Sequence, residues 1–491
     1  ERGPSGDAWR SRRWQSLRLL TPNWATGLPG APYAGTAPDG FMAAAAFADS
    51  LDSYRHRIAA PVQSGTYVTG VEQRAGGFEL ATTRGPIQCR SLVAATGACG
   101  TAIRPPLAAS LPESVTQLTS ADYSAPSDLP AGTGLIVGAS ASGVQLAREI
   151  QSSGRQVVLA VGRHIRLPRR YRDRDIYWWL DAVGAMDERC DRVEELHRAR
   201  RAPSPQLSGG PGAVDLTALQ ALGVELVGRL MEIRGRHALF SGGLTHHCAA
   251  AAAKLTLLLS RFDDHAARDM AGSGLPEPLR LPPVLPPQTP RLEIDLEAGE
   301  IGSVIWATGY RPALDWLTLP VADRRGRLAH TGGVVDGVPG LYQLGLPFLR
   351  RRRSGLISGI GPDCTDLASH IATRLAASRA ACSARVIQPG RPTSIHRCLP
   401  CRTIPAVPTN AIPPGPKRPN RGCPGSADPG RRPCPTPTAP ARHARRKRTP
   451  CMSSEPTPAQ QVNISRVPRT PPAPHPMARS SRRSGTHPSC G

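Results

Sequence analysis

Phenylalanine, tryptophan and tyrosine supply only 4% of the 491 residues, and none of them lies beyond Phe348. Carboxylates are scarce at the same end. Between residues 381 and 491, Asp428 and Glu455 face 19 Lys and Arg, Leu399 is the only leucine, and 24 of the 52 prolines are found there. Such a segment has too little apolar surface to offset the entropy of ordering a chain. This excludes a third packed core and predicts a disordered Pro/Arg-rich tail over 381–491. The tail also carries +17 of the net charge of +24, so the body ahead of it is close to ordinary in charge.

Long apolar runs are missing as well. The best candidates, 41–48 and 249–259 (the latter broken by Lys254), fall short of the roughly 18 residues a membrane helix needs, so no membrane partner is expected. Of 12 cysteines, seven lie in the tail and the other five are scattered, which is no disulfide framework and predicts a reducing, cytoplasmic setting. Cys398 and Cys401 form one CxxC without the second ligand pair a zinc site requires. His246-His247-Cys248 opens an Ala-rich helix without acidic company and reads as structural, so no metal is expected. Neither a Ser-His-Asp spacing nor a close pair of body cysteines appears, and catalytic side chains stay unassigned.

What is present is an α/β pattern. Leu135-Ile136-Val137 reads as a buried strand, Gly138-Ala139-Ser140-Ala141-Ser142-Gly143 as a glycine and serine turn, 144–151 as a helix and 156–161 as a second buried strand. That order places backbone N–H groups and the positive end of a helix against a pyrophosphate. Gly138 permits the tight turn, Gly143 lets the helix pack close, and Ser140 stands where the GxGxxG pattern has its middle glycine. Beyond the second strand comes Gly162-Arg163-His164, with no acid between Glu149 and Asp173. An acid there would hold a ribose 2′-OH, whereas Arg163, with Arg166, Arg169 and Arg170 behind it, suits a 2′-phosphate. NADPH is therefore favoured over NADH, the alternative being a solvated basic patch.

Around this unit a helix is expected over 41–59, a small meander over 67–89, mixed helix over 173–200, helices near 216–222 and 248–270, and a last helix over 364–378. Ser91 to Ala95 and Gly302 to Trp306 are buried strands, each running into Ala-Thr-Gly, at Thr96-Gly97 and at Thr308-Gly309. The recurrence on either side of the glycine unit suggests an inserted domain.

In ordered combination, Glu1-Arg2, Gly6-Asp7-Ala8-Trp9, Leu17 to Trp24, Ala95-Thr96-Gly97, Gly138 to Gly143, Gly162-Arg163-His164, Trp178-Trp179, Trp306 to Arg311 and Arg353 to Leu356 resemble flavin-containing monooxygenase-like oxidoreductases. The resemblance implies two Rossmann-like dinucleotide domains. An FAD-binding domain would comprise 1–97 and 309–380, with its first strand and glycine loop missing, and an NADPH domain would occupy 98–308. Glu1 would hold the adenosine ribose of FAD, Trp9 would pack near the flavin, and Asn23 would lie in the loop approaching its reactive edge. Thr96, Gly97 and Gly309 join the cofactor-binding set. Gly138, Ser140, Ser142 and Gly143 would cradle the NADPH pyrophosphate, and Arg163 its 2′-phosphate. Where the family carries Phe, Gly and His ahead of the NADPH domain, this chain has Glu113, Val115 and Thr119, and retains Tyr123.

The resemblance further implies hydride transfer from NADPH to FAD, capture of O2 as a flavin C4a-hydroperoxide, and oxygenation of a small-molecule substrate. Two other readings stand beside it. One is an FAD/NAD(P)H oxidoreductase that reduces its acceptor without oxygenating it. The other is a non-catalytic basic protein whose tail, with Arg442, Arg445, Arg446, Arg448, Arg482 and Arg483, neutralises nucleic-acid phosphates. The lack of interleaved aromatics argues against nucleic acid as a partner.

Overall fold

The computed structural model describes residues 1–323 and 326–386. The CxxC and the basic clusters of the tail lie outside the described residues. All of the described residues fall within one compact unit.

The chain opens with a short helix, α1 (Asp7–Ser11), and a loop that runs to α2 (Ala44–Arg57). Gly-bounded strands β1 (Val68–Arg74), β2 (Gly77–Thr82) and β3 (Ile87–Cys89) form the expected antiparallel meander. Strand β4 (Leu92–Ala94) leads into the first Ala-Thr-Gly turn, and β5 (Thr101–Ala102) follows it. Next come β6 (Thr116–Thr119), β7 (Thr133–Val137), α3 (Ala141–Ser152) and β8 (Val157–Ala160). A long excursion carries α4 (Ile176–Ala182) and α5 (Leu196–Arg200) before α6 (Leu216–Ala221) and β9 (Glu225–Val227). Helix α7 (Leu244–Asp269) precedes β10 (Ile301–Trp306), β11 (Tyr310–Arg311) and β12 (Leu341–Gln343), and α8 (Ile357–Val386) is the last described element.

The central layer is a parallel sheet in the order β9-β8-β7-β10-β6. The inner strands β7, β8 and β10 are apolar almost throughout because both faces are covered, whereas the edge strand β6, Thr-Gln-Leu-Thr, is mostly polar. Alternation along β7 sends Ile136 to one core, with Val144, Ile150 and Leu159, while Leu135 and Val137 enter the other, with Val158, Val304 and Trp306. In a second, four-stranded sheet, β12 pairs in parallel with β4 in the register Leu341↔Leu92 and Gln343↔Ala94. No strand among the described residues pairs with the other edge of β4, where Val93 is 36% exposed. Between the sheets, β5 and β11 pair antiparallel, Tyr310 opposite Ala102 and Arg311 opposite Thr101.

Two helical expectations change. The mixed stretch 173–200 is not one helix but α4 and α5 with irregular chain between them, because Gly184 takes a left-handed conformation (φ 70°) that stops α4. Conversely α8 starts at Ile357 rather than near Cys364 and incorporates Pro362, and its far end runs beyond the expected domain limit at Ala380. Burial of Asp363 and Leu367, and the Arg351–Asp363 ion pair at 2.7 Å, override the local Gly and Pro propensity.

Candidate dinucleotide site

Strand β7 ends at Val137 and the chain turns through Gly138 into α3. Gly138 has φ 111°, in the left-handed half of backbone space, and a β-carbon there would stand 2.6 Å from the Ala307 carbonyl oxygen. A β-carbon on Gly143 would fall 1.8 Å from the Gly138 oxygen. Both glycines are therefore required by close backbone approach. Ser140 is the N-cap residue of α3, yet its side chain makes no capping bond, and neither its hydroxyl nor that of Ser142 is hydrogen-bonded to the described residues. The turn thus presents two free hydroxyls beside the unpaired N–H groups of the first helical turn, a donor set suited to a phosphate oxygen.

Gln206 supports this turn from behind: its Nε2 donates to the Ala139 carbonyl at 2.9 Å while the residue is 1% exposed. No sequence signal singles it out, since it lies far along the chain from Gly143, in a short parallel pairing of Pro205–Gln206 with Ile165–Arg166.

The arginines after β8 separate into two kinds. Arg163 is exposed and carries no ion pair among the described residues. Arg166 is 3% exposed and donates through Nε to Asp215 at 2.7 Å and through Nη1 to the Pro282 carbonyl at 2.7 Å. Arg169, 5% exposed, donates to the Leu20 carbonyl at 2.8 Å and to Asp175 at 2.6 Å, with the Phe41 and Tyr177 rings at 4.9 and 5.5 Å from its guanidinium carbon. Arg166 and Arg169 are thus neither free for a phosphate nor part of a solvated patch; they are buried struts. Arg170 is exposed and donates to the Asp173 carbonyl at 2.6 Å. His164, buried beside them, has its imidazole held below the ordinary range by burial, and His247 and Arg166 act in the same direction.

The residues expected around a flavin lie in the amino-terminal loops and in the two Ala-Thr-Gly turns. Thr96 is exposed, and Gly97 (φ 76°) and Gly309 (φ 95°) have open space where a side chain would be. The two turns are tied together by the β5–β11 ladder and by the Ile103 N–H donating to the Gly309 carbonyl at 2.9 Å. Asn23 is 6% exposed; its Nδ2 donates to the Ala37 carbonyl at 2.9 Å, and its Oδ1 is buried without a partner. Trp9 is half-buried, edge-on to Phe47 at 5.0 Å, with Arg13 over its ring at 5.2 Å. Glu1 is exposed and its backbone carbonyl accepts from Thr66, so no described contact joins it to Trp9 or Asn23. A cavity of about 220 Å³ lies beside the paired turns, lined by Arg12, Arg13, Cys99, Asp122 and Tyr310 among others. Val115 and Thr119, at the positions where the expected motif departs, are buried; Asp122 accepts from the Thr119 N–H and hydroxyl, both at 2.9 Å, so the segment is held without the family's residues.

No helix among the described residues is long and apolar enough to cross a membrane. Cys248 of the His-His-Cys cluster is buried in the core.

Residues 33–181 match the family model described as pyridine nucleotide-disulphide oxidoreductase. An uncharacterized CzcO-like oxidoreductase from Geobacillus kaustophilus is 29% identical over 369 residues, covering 74% of this chain and 88% of the relative. The uncharacterized oxidoreductase CzcO of Bacillus subtilis is 27% identical over 359 residues, covering 73% and 86%. In three dimensions, a flavin-containing monooxygenase from Stenotrophomonas maltophilia superposes with a TM-score of 0.52 at 20% identity, covering 76% of this chain and 89% of that one. The chain is a relative of bacterial oxidoreductases, built on the flavin-containing-monooxygenase fold.

Proposed function

We infer that the protein is an NADPH-dependent FAD oxidoreductase, with 98–308 as the NADPH-binding domain and 1–97 with 309–380 holding the flavin. The observation that carries the reading is the turn from Gly138 to Gly143, where the Cβ distances of 2.6 and 1.8 Å leave room for nothing but glycine and the Ser140 hydroxyl is unused. Those residues fit a pyrophosphate, and exposed Arg163 fits a 2′-phosphate at the end of β8. On the flavin side, the open Thr96-Gly97 and Gly309 turns and the unpartnered Asn23 Oδ1 fit the edge of a bound ring system, with Trp9 and Glu1 as further contacts. Bound FAD would supply hydride acceptance and O2 activation; the chain's own part is to orient the two cofactors and exclude water.

Transfer of oxygen to a small-molecule substrate, rather than reduction alone, is the reading favoured here. It is supported by the fold shared with a flavin-containing monooxygenase, and none of the cysteines of the described residues is in a disulfide. The test is NADPH oxidation with added FAD, followed by product analysis. NADPH consumption with an oxygenated product upholds the reading. Peroxide formed in step with NADPH, with no oxygenated product from any sulfide, amine or ketone tried, reduces it to a plain oxidase; no binding of NADPH ends it.

A further inference from the structure

Residues beside the glycine turn suggest a second cation for the same ligand. In the parallel register of β8 and β9, Ala160 stands opposite Val227, and the Val161 N–H donates to the Val227 carbonyl at 3.0 Å. Continued past the strand ends, this register brings Arg229 alongside Gly162. A β-carbon built on Gly162 would lie 3.8 Å from the Arg229 Cγ and Cδ, so the aliphatic stem of Arg229 runs over Gly162, next to Arg163. The Arg229 backbone is fixed: its N–H donates to the Ser241 hydroxyl at 3.2 Å and its carbonyl accepts from the Ser241 N–H at 2.9 Å. Its guanidinium is exposed and has neither a hydrogen bond nor an ion pair among the described residues.

The surroundings hold no compensating carboxylate in sequence: none occurs in 150–172, 226–231 or 233–262. His247, in the first turn of α7, supplies no counter-charge: burial first, then His246 and Arg229, hold it below its ordinary range and so in its neutral form. Two unpaired guanidinium groups flanking one glycine at the carboxyl ends of adjacent parallel strands lie where open α/β sheets take their ligands. Each can present a fork of N–H donors, and a phosphate dianion has oxygens enough for both.

We propose that Arg229 forms, with Arg163, a two-armed clamp on the 2′-phosphate of NADPH and so sets the preference for NADPH over NADH. This rests on the NADPH reading above. Arg163 is legible in the sequence because it follows β8 directly, whereas Arg229 comes only after α4, α5, α6 and β9 and is brought back to Gly162 by the sheet.

Isothermal titration of the full chain with 2′,5′-ADP and with 5′-AMP tests this without flavin or turnover. Wild type binds 2′,5′-ADP more tightly. Arg229→Gln, which keeps the stem over Gly162, weakens 2′,5′-ADP by about ten- to hundred-fold and leaves 5′-AMP within about twofold. Arg229→Lys recovers part of the loss. If Arg229→Gln leaves the ratio of the two affinities at the wild-type value while wild type discriminates between them, the clamp is wrong and the NADPH reading stands. If wild type binds neither nucleotide, the NADPH reading itself fails, and the clamp with it.

Discussion

At the scale of single residues, the tightest constraint is steric. A methyl group on Gly143 would meet a backbone oxygen at 1.8 Å, an atom that cannot swing aside as a flexible side chain would. Gly143→Ala is expected to lower stability by about 1–3 kcal/mol, the range for overpacking, and to abolish nucleotide binding. Thermal unfolding and titration with 2′,5′-ADP check the two parts separately. A second residue sets a pH response. Burial, followed by the Arg200 guanidinium, lowers the His330 pKa to about 4, against a smaller opposing pull from Asp336. An unfolded histidine titrates at about 6.5, so between those values the unfolded chain binds the additional proton and stability falls as the pH drops through that window. Melting temperatures at pH 7 and pH 4.5 should show a larger acid-induced fall for wild type than for His330→Gln; equal falls would remove His330 as the cause.

At the scale of elements, the excursion between β8 and α6 is held by buried charge. Asp215 accepts from the Arg166 Nε and also from the Ala218 N–H at 3.0 Å, capping α6. Replacing it by Ala strands the Arg166 guanidinium, whose side chain is 2% exposed, and removes the cap. The expected cost is about 3–5 kcal/mol, read as a shift in the urea midpoint. Here the sequence is only half readable. Local patterns locate every strand of the parallel sheet except β6 and β9, because near-continuous apolar runs bounded by glycines are what a doubly covered parallel strand requires. They also locate the glycine turn, whose elements are contiguous. They leave Arg166 and Arg169 open between company for Arg163 and a solvated patch, because charge in sequence does not reveal a partner as remote as Asp215 or the Leu20 carbonyl. Gln206 and Arg229 escape notice for the same reason, being brought to the turn by strand pairing and not by spacing.

At the scale of the whole molecule, the excursion is also bound to the start of α8. Arg352 pairs with Glu188, and Arg353, whose side chain is 14% exposed, pairs with Asp181 and with Asp187, the latter at 2.9 Å. Arg353→Ala is expected to leave the glycine turn intact but to loosen the segment between α4 and α5. Limited trypsin digestion should then cut faster between Arg189 and Arg201, while 2′,5′-ADP affinity stays within about twofold of wild type. An unchanged cleavage rate would assign the anchoring to other contacts, such as Arg189 against Arg351.

The chain passes from one sheet to the other and back through adjacent stretches, and these are joined as the β5–β11 ladder, with Gly100 so close to Ala313 that a β-carbon there would lie 2.4 Å from its nitrogen. A single connecting thread would allow swivelling in any direction. A two-stranded ribbon bends across its flat face far more readily than it twists, which makes it a mechanical bearing with one easy axis. Any relative motion of the two sheets should therefore be a rocking about that ribbon, and spin labels placed one on each sheet should report distances distributed along one line of motion and not over a cone.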